Sequence, residues 1–210
     1  MPKTDERNTG PKGLATREKL LRAAGRLFGE RGYAGTGIRD IEAAAGVQRG
    51  LATYHLGNKD DIWKAVAAYC FQPFMERLAQ QLPLARQLPP EARFRFLLRA
   101  FVEMSADKSF LNQIMVQENL ADTWRIQWLL EHYIGPLRQG AGELFSDDPA
   151  IAALLSDPHR YYVLLGACAH VFSLKAEARA LYGADTSSLE FMDRHVDTVL
   201  ALARPWLGQP

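Results

Sequence analysis

The sequence predicts an all-α protein in two parts, a small three-helix N-terminal domain and a larger helical body. Three observations carry this. Apolar residues recur at three- and four-residue intervals, no run of alternating apolar and polar residues is long enough for a strand, and Gly and Pro punctuate a chain otherwise rich in Ala, Leu, Arg and Glu. The 210 residues suffice for one large domain or two small ones. Residues 1–13, polar with Gly and Pro, read as a flexible arm, 14–60 as the small domain and 61–210 as the body.

The first helix is expected from Thr16, a capping residue type, to Arg31, with Leu20, Ala23, Ala24, Leu27 and Phe28 on one stripe and Gly32 as its stop. The second starts at Thr36 and aligns Ile38, Ile41 and Ala45 before Gly46 turns the chain. A short third helix covers 48–56 and ends at Gly57. Asn58 with Asp61 resembles a capping box in which Asp replaces Glu; it opens a fourth helix through Ile62, Trp63, Val66, Tyr69 and Cys70 to about Gln81. Further helices are expected near 90–105, 108–118, 122–133 and 136–145, with Pro83, Pro89, Pro90, Pro136 and Pro149 as breaks. Two longer helices, 157–181 and 187–204, close the chain around a loop from Tyr182 to Asp185.

Composition narrows the function classes. The hydrophobic fraction of 48% is that of a globular protein, not a disordered one. The longest apolar segment, Tyr161 to Leu174, is too short to span a bilayer, and the N-terminus lacks the apolar stretch of a secretion signal, so a cytoplasmic protein is expected. Two distant cysteines, Cys70 and Cys168, cannot make a disulfide scaffold and read as buried thiols. Net charge is +1, yet residues 1–64 carry 12 Lys and Arg against 8 Asp and Glu, while the remainder is mildly acidic. A polyanion would dock on the basic N-terminal quarter.

The segments 36–45 and 48–56, joined by a short turn, have helix-turn-helix dimensions. A helix enters the DNA major groove only if its leading side chains reach base edges. Gln48 and Arg49 have the shapes that pair bidentately with adenine and guanine, and Gly50 removes bulk at the closest approach. Thr53, Tyr54 and His55 can donate to phosphate, as can the hydroxyl of Thr36. Lys59 adds a cation at the start of the next helix, and Arg39 lies one turn inside the second.

Residues 16–64 resemble the DNA-binding domain of the tetracycline-repressor (TetR) family. The resemblance rests on Leu27-Phe28, Gly32-Tyr33, Thr36, Asp40-Ile41, Ala44 to Val47, Tyr54-His55 and Asn58-Lys59. It implies a helix-turn-helix domain, a helical effector-binding body and a homodimer acting on a double-stranded operator, most simply as a repressor released by a small molecule. Activation, or ligand-independent regulation, on the same fold is the alternative. Carried onto matching positions, the DNA-contact candidates are Thr36, Arg39, Gln48, Arg49, Gly50, Thr53, Tyr54, His55 and Lys59. The chain departs from the pattern at Thr53, where the family usually has Tyr, at Leu56, where it has an aromatic, and at Gln48, where Ser or Thr is common.

In the body, Phe74, Phe101, Met104, Met115, Trp124, Trp128, His132 and Tyr133 are the candidates for an apolar pocket, with ordinary core packing as the competing reading for each. An effector that is partly apolar follows. Tyr161, Tyr162, Leu165, Ala169 and Phe172 on one closing helix, with Val196, Val199 and Leu200 on the other, are expected to form a four-helix dimer interface. Two heads so paired would read a palindrome with half-sites about 34–36 Å apart or a multiple of it. The five histidines show no metal-ligand spacing, and no Gly-rich phosphate loop or Gly-x-Ser-x-Gly turn occurs, so neither enzyme, cofactor nor metal is expected.

Overall fold

A computed structural model describes residues 10–120 and 122–208. Among these residues there is no strand, and the all-α expectation holds. The head consists of α1 (Pro11–Arg31), α2 (Ile38–Ala45) and α3 (Leu51–Leu56). The long α4 (Lys59–Ala85) leads into the body, formed by α5 (Pro90–Asp107), α6 (Ser109–Glu118), α7 (Trp124–Leu129), α8 (Gly135–Leu144), α9 (Pro149–Ser156), α10 (Pro158–Ser173), α11 (Lys175–Tyr182) and α12 (Leu189–Ala203).

Several boundaries move from those expected. The first helix begins at Pro11, so the end of the expected arm is helical and Thr16 lies inside, its hydroxyl donating back to Lys12 O (2.9 Å); the rest of the arm, 1–9, lies outside the described residues. Pro149 starts a helix instead of breaking one. It occupies the first turn, where its missing N–H costs nothing, and Asp148 caps Ala150 N and Ile151 N at 3.0 Å. Between α7 and α8, residues Leu130–Ile134 form one π turn in which Gly135 N donates to Leu130 O. The expected helix 157–181 divides at Leu174 into α10 and α11, and α11 buries none of its residues. The capping box at Asn58 is present. Its Oδ1 accepts from Asp60 N (2.9 Å) and Asp61 N (3.1 Å), and Asp61 Oδ2 accepts from Asn58 N (3.0 Å).

Two apolar clusters organise the packing. One joins the head to the upper body: Leu20, Phe28, Ile41, Ala52 and Leu56 continue through Ile62, Trp63, Val66 and Phe71 to Leu111 and Ile114. The other lies deeper, between α5, α10 and α12, around Phe94, Val102, Phe145, Phe172 and Val196. Head and body meet closely where α1 lies on α6. A Cβ at Gly25 would strike the Phe110 ring, and one at Gly29 would fall 2.9 Å from Gln113 Oε1. Glycine at both positions is therefore what lets the two helices approach. Phe172, Val196, Val199 and Leu200, expected at a subunit interface, are all buried in the second cluster of the chain's own body. The stripe they form packs on α5, and His195 Nε2 bonds Ala167 O (2.8 Å) to tie α12 to α10.

Candidate nucleic-acid interface and ligand cavity

An isolated six-residue helix such as α3 does not persist in water. Here Ala52 and Leu56 are buried in the first cluster, and a side chain from α2 completes its N-terminus. Glu42, only 4% exposed, accepts from Gly50 N (2.7 Å) and Ala52 N (3.0 Å) through a single oxygen, Oε1. The carboxylate satisfies two donors that the helix start leaves unpaired and lies at the positive end of its dipole. It thereby fixes the angle between α2 and α3. Sequence reasoning overlooked Glu42; the signal was a lone acid beside the inward stripe of Ile38, Ile41 and Ala45.

The third helix starts later than expected, at Leu51. Gln48, Arg49 and Gly50 therefore form its approach turn, and Gly50 takes φ +91°, a left-handed value that strains any side chain. Gln48, Arg49, Gly50, Thr53 and Tyr54 are exposed together, with Arg39 exposed on α2. His55 is half-buried, its ring meeting Tyr54 edge-on at 5.1 Å. Lys59 is half-buried with its ammonium 4.3 Å from the centre of the Tyr33 ring. Thr36 is a correction. It is 1% exposed, its hydroxyl faces Gly32 O (2.8 Å) and Leu27 O (3.1 Å), and its N–H donates to Tyr33 O, so it braces the turn below the surface and Gly37 takes the cap position of α2.

Behind this surface a polar network joins head to body. Buried Glu118, at the end of α6, accepts from Trp63 Nε1 (3.1 Å), Thr123 Oγ1 (3.2 Å) and Arg125 Nε (2.8 Å). The Arg125 guanidinium also lies 4.1 Å from the centre of the Tyr33 ring, whose hydroxyl donates to Asp60. Burial, then that bond, pushes the Tyr33 phenol up to about 12.

The body encloses a cavity of about 780 Å³, within the range of small-molecule sites. Of the expected lining residues, Phe74, Phe101, Met104 and Met115 line it, with Phe71, Leu98, Leu130 and Ile134 among others. Trp124, Trp128, His132 and Tyr133 do not. Trp124 and Trp128 meet Trp63 edge-on at 5.7 and 5.9 Å, His132 stacks on Trp128, and Tyr133 stacks on Phe71 at 4.8 Å with burial raising its phenol pKa. These rings pack the joint above the cavity. Conversely Tyr161, Tyr162 and Leu165, expected at a dimer interface, line the cavity, while Ala169 accepts from the Asn112 amide (3.3 Å), another lining residue. A second hollow of about 620 Å³ contains Arg77, Glu103, Asp107 and Lys108, and these pair with each other. Both cysteines are buried, and desolvation pushes each thiol up to about 12. No group of three or more metal-ligating side chains occurs among the described residues, and none of their helices is long and apolar enough to cross a membrane.

Comparison with known proteins agrees with the head. Residues 20–66 match the model of bacterial regulatory proteins, tetR family. The HTH-type transcriptional repressor AcnR of Corynebacterium efficiens is 39% identical over 59 residues, 28% of this chain and 31% of that protein. The HTH-type transcriptional regulator CymR of Pseudomonas putida is 30% identical over 104 residues, half of each chain. The chain thus aligns with a third to a half of these relatives. The fold extends further: the fatty acid degradation regulator FadR of Bacillus halodurans superimposes with a TM-score of 0.61 at 16% identity, covering 91% of this chain and 95% of that one.

Proposed function

From the premise that residues 20–66 are a DNA-binding domain of the tetR family, we propose that the chain is a transcription repressor that leaves a palindromic operator when a small molecule fills its body. The observation that carries this is the shared exposure of Gln48, Arg49 and Gly50 on a turn held by Glu42, joined through α4 to a body with a large apolar cavity. Arg49, exposed and without an ion pair among the described residues, is the principal base reader; Gln48 reads beside it, and Arg39, Thr53, Tyr54, His55 and Lys59 face phosphate. The relatives named repressors and regulators support regulation over catalysis.

The reading requires two copies. With the inward stripe of α12 committed to the chain's own core, the pairing face is drawn from the outer residues of α10 and α12, where Val163 and Leu202 are exposed. A ligand that fits one spacing of the heads better than another shifts operator affinity by its differential affinity.

Selection of bound duplexes from a random pool tests the proposal. Recovery of an inverted repeat, with Arg49→Ala losing about 1–3 kcal/mol on that duplex and relaxing one or two base pairs, is the expected result. Equal loss on random DNA makes Arg49 a phosphate contact, and recovery of no consensus defeats the proposal. Deleting the gene should raise expression from the recovered site; a fall identifies an activator.

A further inference from the structure

The cavity's chemistry is lopsided. More than two dozen of its lining residues are hydrocarbon, aromatic or sulfur-bearing, and Arg138 of α8 is the one charged residue among them, with no Asp, Glu, Lys or His. The other polar groups have their donors engaged: the Asn119 amide donates to Met115 O (2.7 Å), the Ser156 hydroxyl to Ala152 O (2.8 Å), and the Asn112 amide to Ala169 O. Arg138 makes no ion pair or hydrogen bond among the described residues. Its guanidinium rests 5.6 Å from the centre of the Tyr161 ring. The second hollow differs, because there Arg77 meets Glu103 at 2.5 Å and Lys108 pairs with Asp107.

Arg138 is exposed, as is Tyr162, so the two sit at the rim of the cavity, while Phe71, Leu98 and Leu164 are buried in its depth. Tyr161 and Tyr162 face each other edge-on at 5.3 Å, and their hydroxyls have no protein partner among the described residues. Burial raises the Tyr161 phenol above its ordinary value. An unpaired guanidinium over the Tyr161 ring at the cavity rim is matched by a carboxylate or comparable acid, which it can bind in bidentate fashion. The apolar depth is matched by hydrocarbon or ring surface, and the volume equals that of roughly 25 water molecules.

We propose that this cavity takes an amphipathic anion, a single acid group held at the rim by Arg138 and an apolar body inserted between α4, α5, α8 and α10. The assignment rests on the regulator reading for its consequence, but its binding chemistry is separable from it. Two sources share the chemistry, acyl chains and fused-ring acids, and the probes distinguish them.

Isothermal titration of the full chain should use dodecanoate, 1-dodecanol and dodecylamine below self-association, and in parallel 2-naphthoate and 2-naphthamide. At least one acid should bind about tenfold more tightly than its uncharged counterpart, and dodecylamine more weakly than 1-dodecanol. Whichever acid binds identifies the body. Arg138→Ala should bring acid and neutral probe to equal affinity without lowering Tm, and Arg138→Lys should restore part of the preference. Equal binding of acid and neutral probe by the native protein, a preference unchanged in Arg138→Ala, or binding of no probe overturns the proposal. Release of the selected duplex is measured separately: an Arg138-dependent acid that leaves DNA affinity unchanged sinks the repressor reading and leaves the ligand class standing. Release by 1-dodecanol alone does the reverse.

Discussion

Replacing Glu42 with alanine should loosen the turn of residues 48–50 more than any exposed substitution in it. The side chain is 4% exposed and accepts two backbone N–H groups, from Gly50 at 2.7 Å and Ala52 at 3.0 Å. A hydrogen bond to a charged group is worth about 1.5–3 kcal/mol. Ala52 is wholly buried, so its N–H would lose the full amount, whereas the exposed Gly50 can turn to water. The sum is about 2–4 kcal/mol. For a chain of 210 residues that corresponds to a Tm lower by about 4–16 °C. Glu42→Gln keeps an acceptor of the same shape without its charge and should cost about half as much. Circular-dichroism melts of the three proteins, with hydrogen exchange at the Ala52 amide, provide the measurement. If Glu42→Ala melts within 1 °C of the native chain and Ala52 stays protected, the carboxylate does not hold α3 and the reasoning fails.

Three other outcomes are expected. Arg125→Ala strands the buried Glu118 carboxylate and should destabilise by about 3–5 kcal/mol, whereas joint replacement by Glu118→Gln and Arg125→Met should recover most of that; strictly additive losses in the double-mutant cycle would refute the pairing. The hydrogen bond from Arg93 holds the Asp147 carboxyl below its ordinary value, so its contribution is present above the unfolded value of about 3.9 and disappears as pH falls through the folded one. Melting curves of native protein and Asp147→Asn should therefore differ at neutral pH and converge in strong acid; parallel curves at all pH values would deny the contact. Cys70 and Cys168, with pKa near 12, should resist an aromatic disulfide reagent at pH 8 and both react in guanidinium, while fast native labelling would contradict their burial.

The head was legible because its signals are local. A glycine stop, an Asn-Asp capping box and a single apolar stripe each act within one turn of the residue that carries them, and all reappear in α1, α2 and α4. Thr36 shows the limit: a Thr before a helix has the same sequence signature whether its hydroxyl caps that helix or braces the preceding one, and only the path of Gly32 and Leu27 decides. The cavity was half legible. Rings that line a space and rings that fill one have the same composition, so Trp124, Trp128 and Tyr133 could not be told from Phe74 and Phe101 until residues from 71 to 168 were brought together. The packing of the closing helices within the chain was not legible for a related reason. Alternating large and small apolar residues serve a neighbouring helix in the same chain as readily as one in another, and α5 claimed the stripe of α12.

The paired glycines of α1 have a mechanical consequence. With no Cβ at Gly25 and Gly29, α6 sits against bare backbone, Phe110 and Gln113 lying where side chains would stand. Such a seat works as a keel in a slot. The side of α6 that enters the slot is the Phe110 ring and the Gln113 side chain, so the fit depends on the absence of even one carbon on α1. A methyl group at Gly25 would collide with the Phe110 ring, so a single added carbon would prise α1 from α6 or drive that ring from its place.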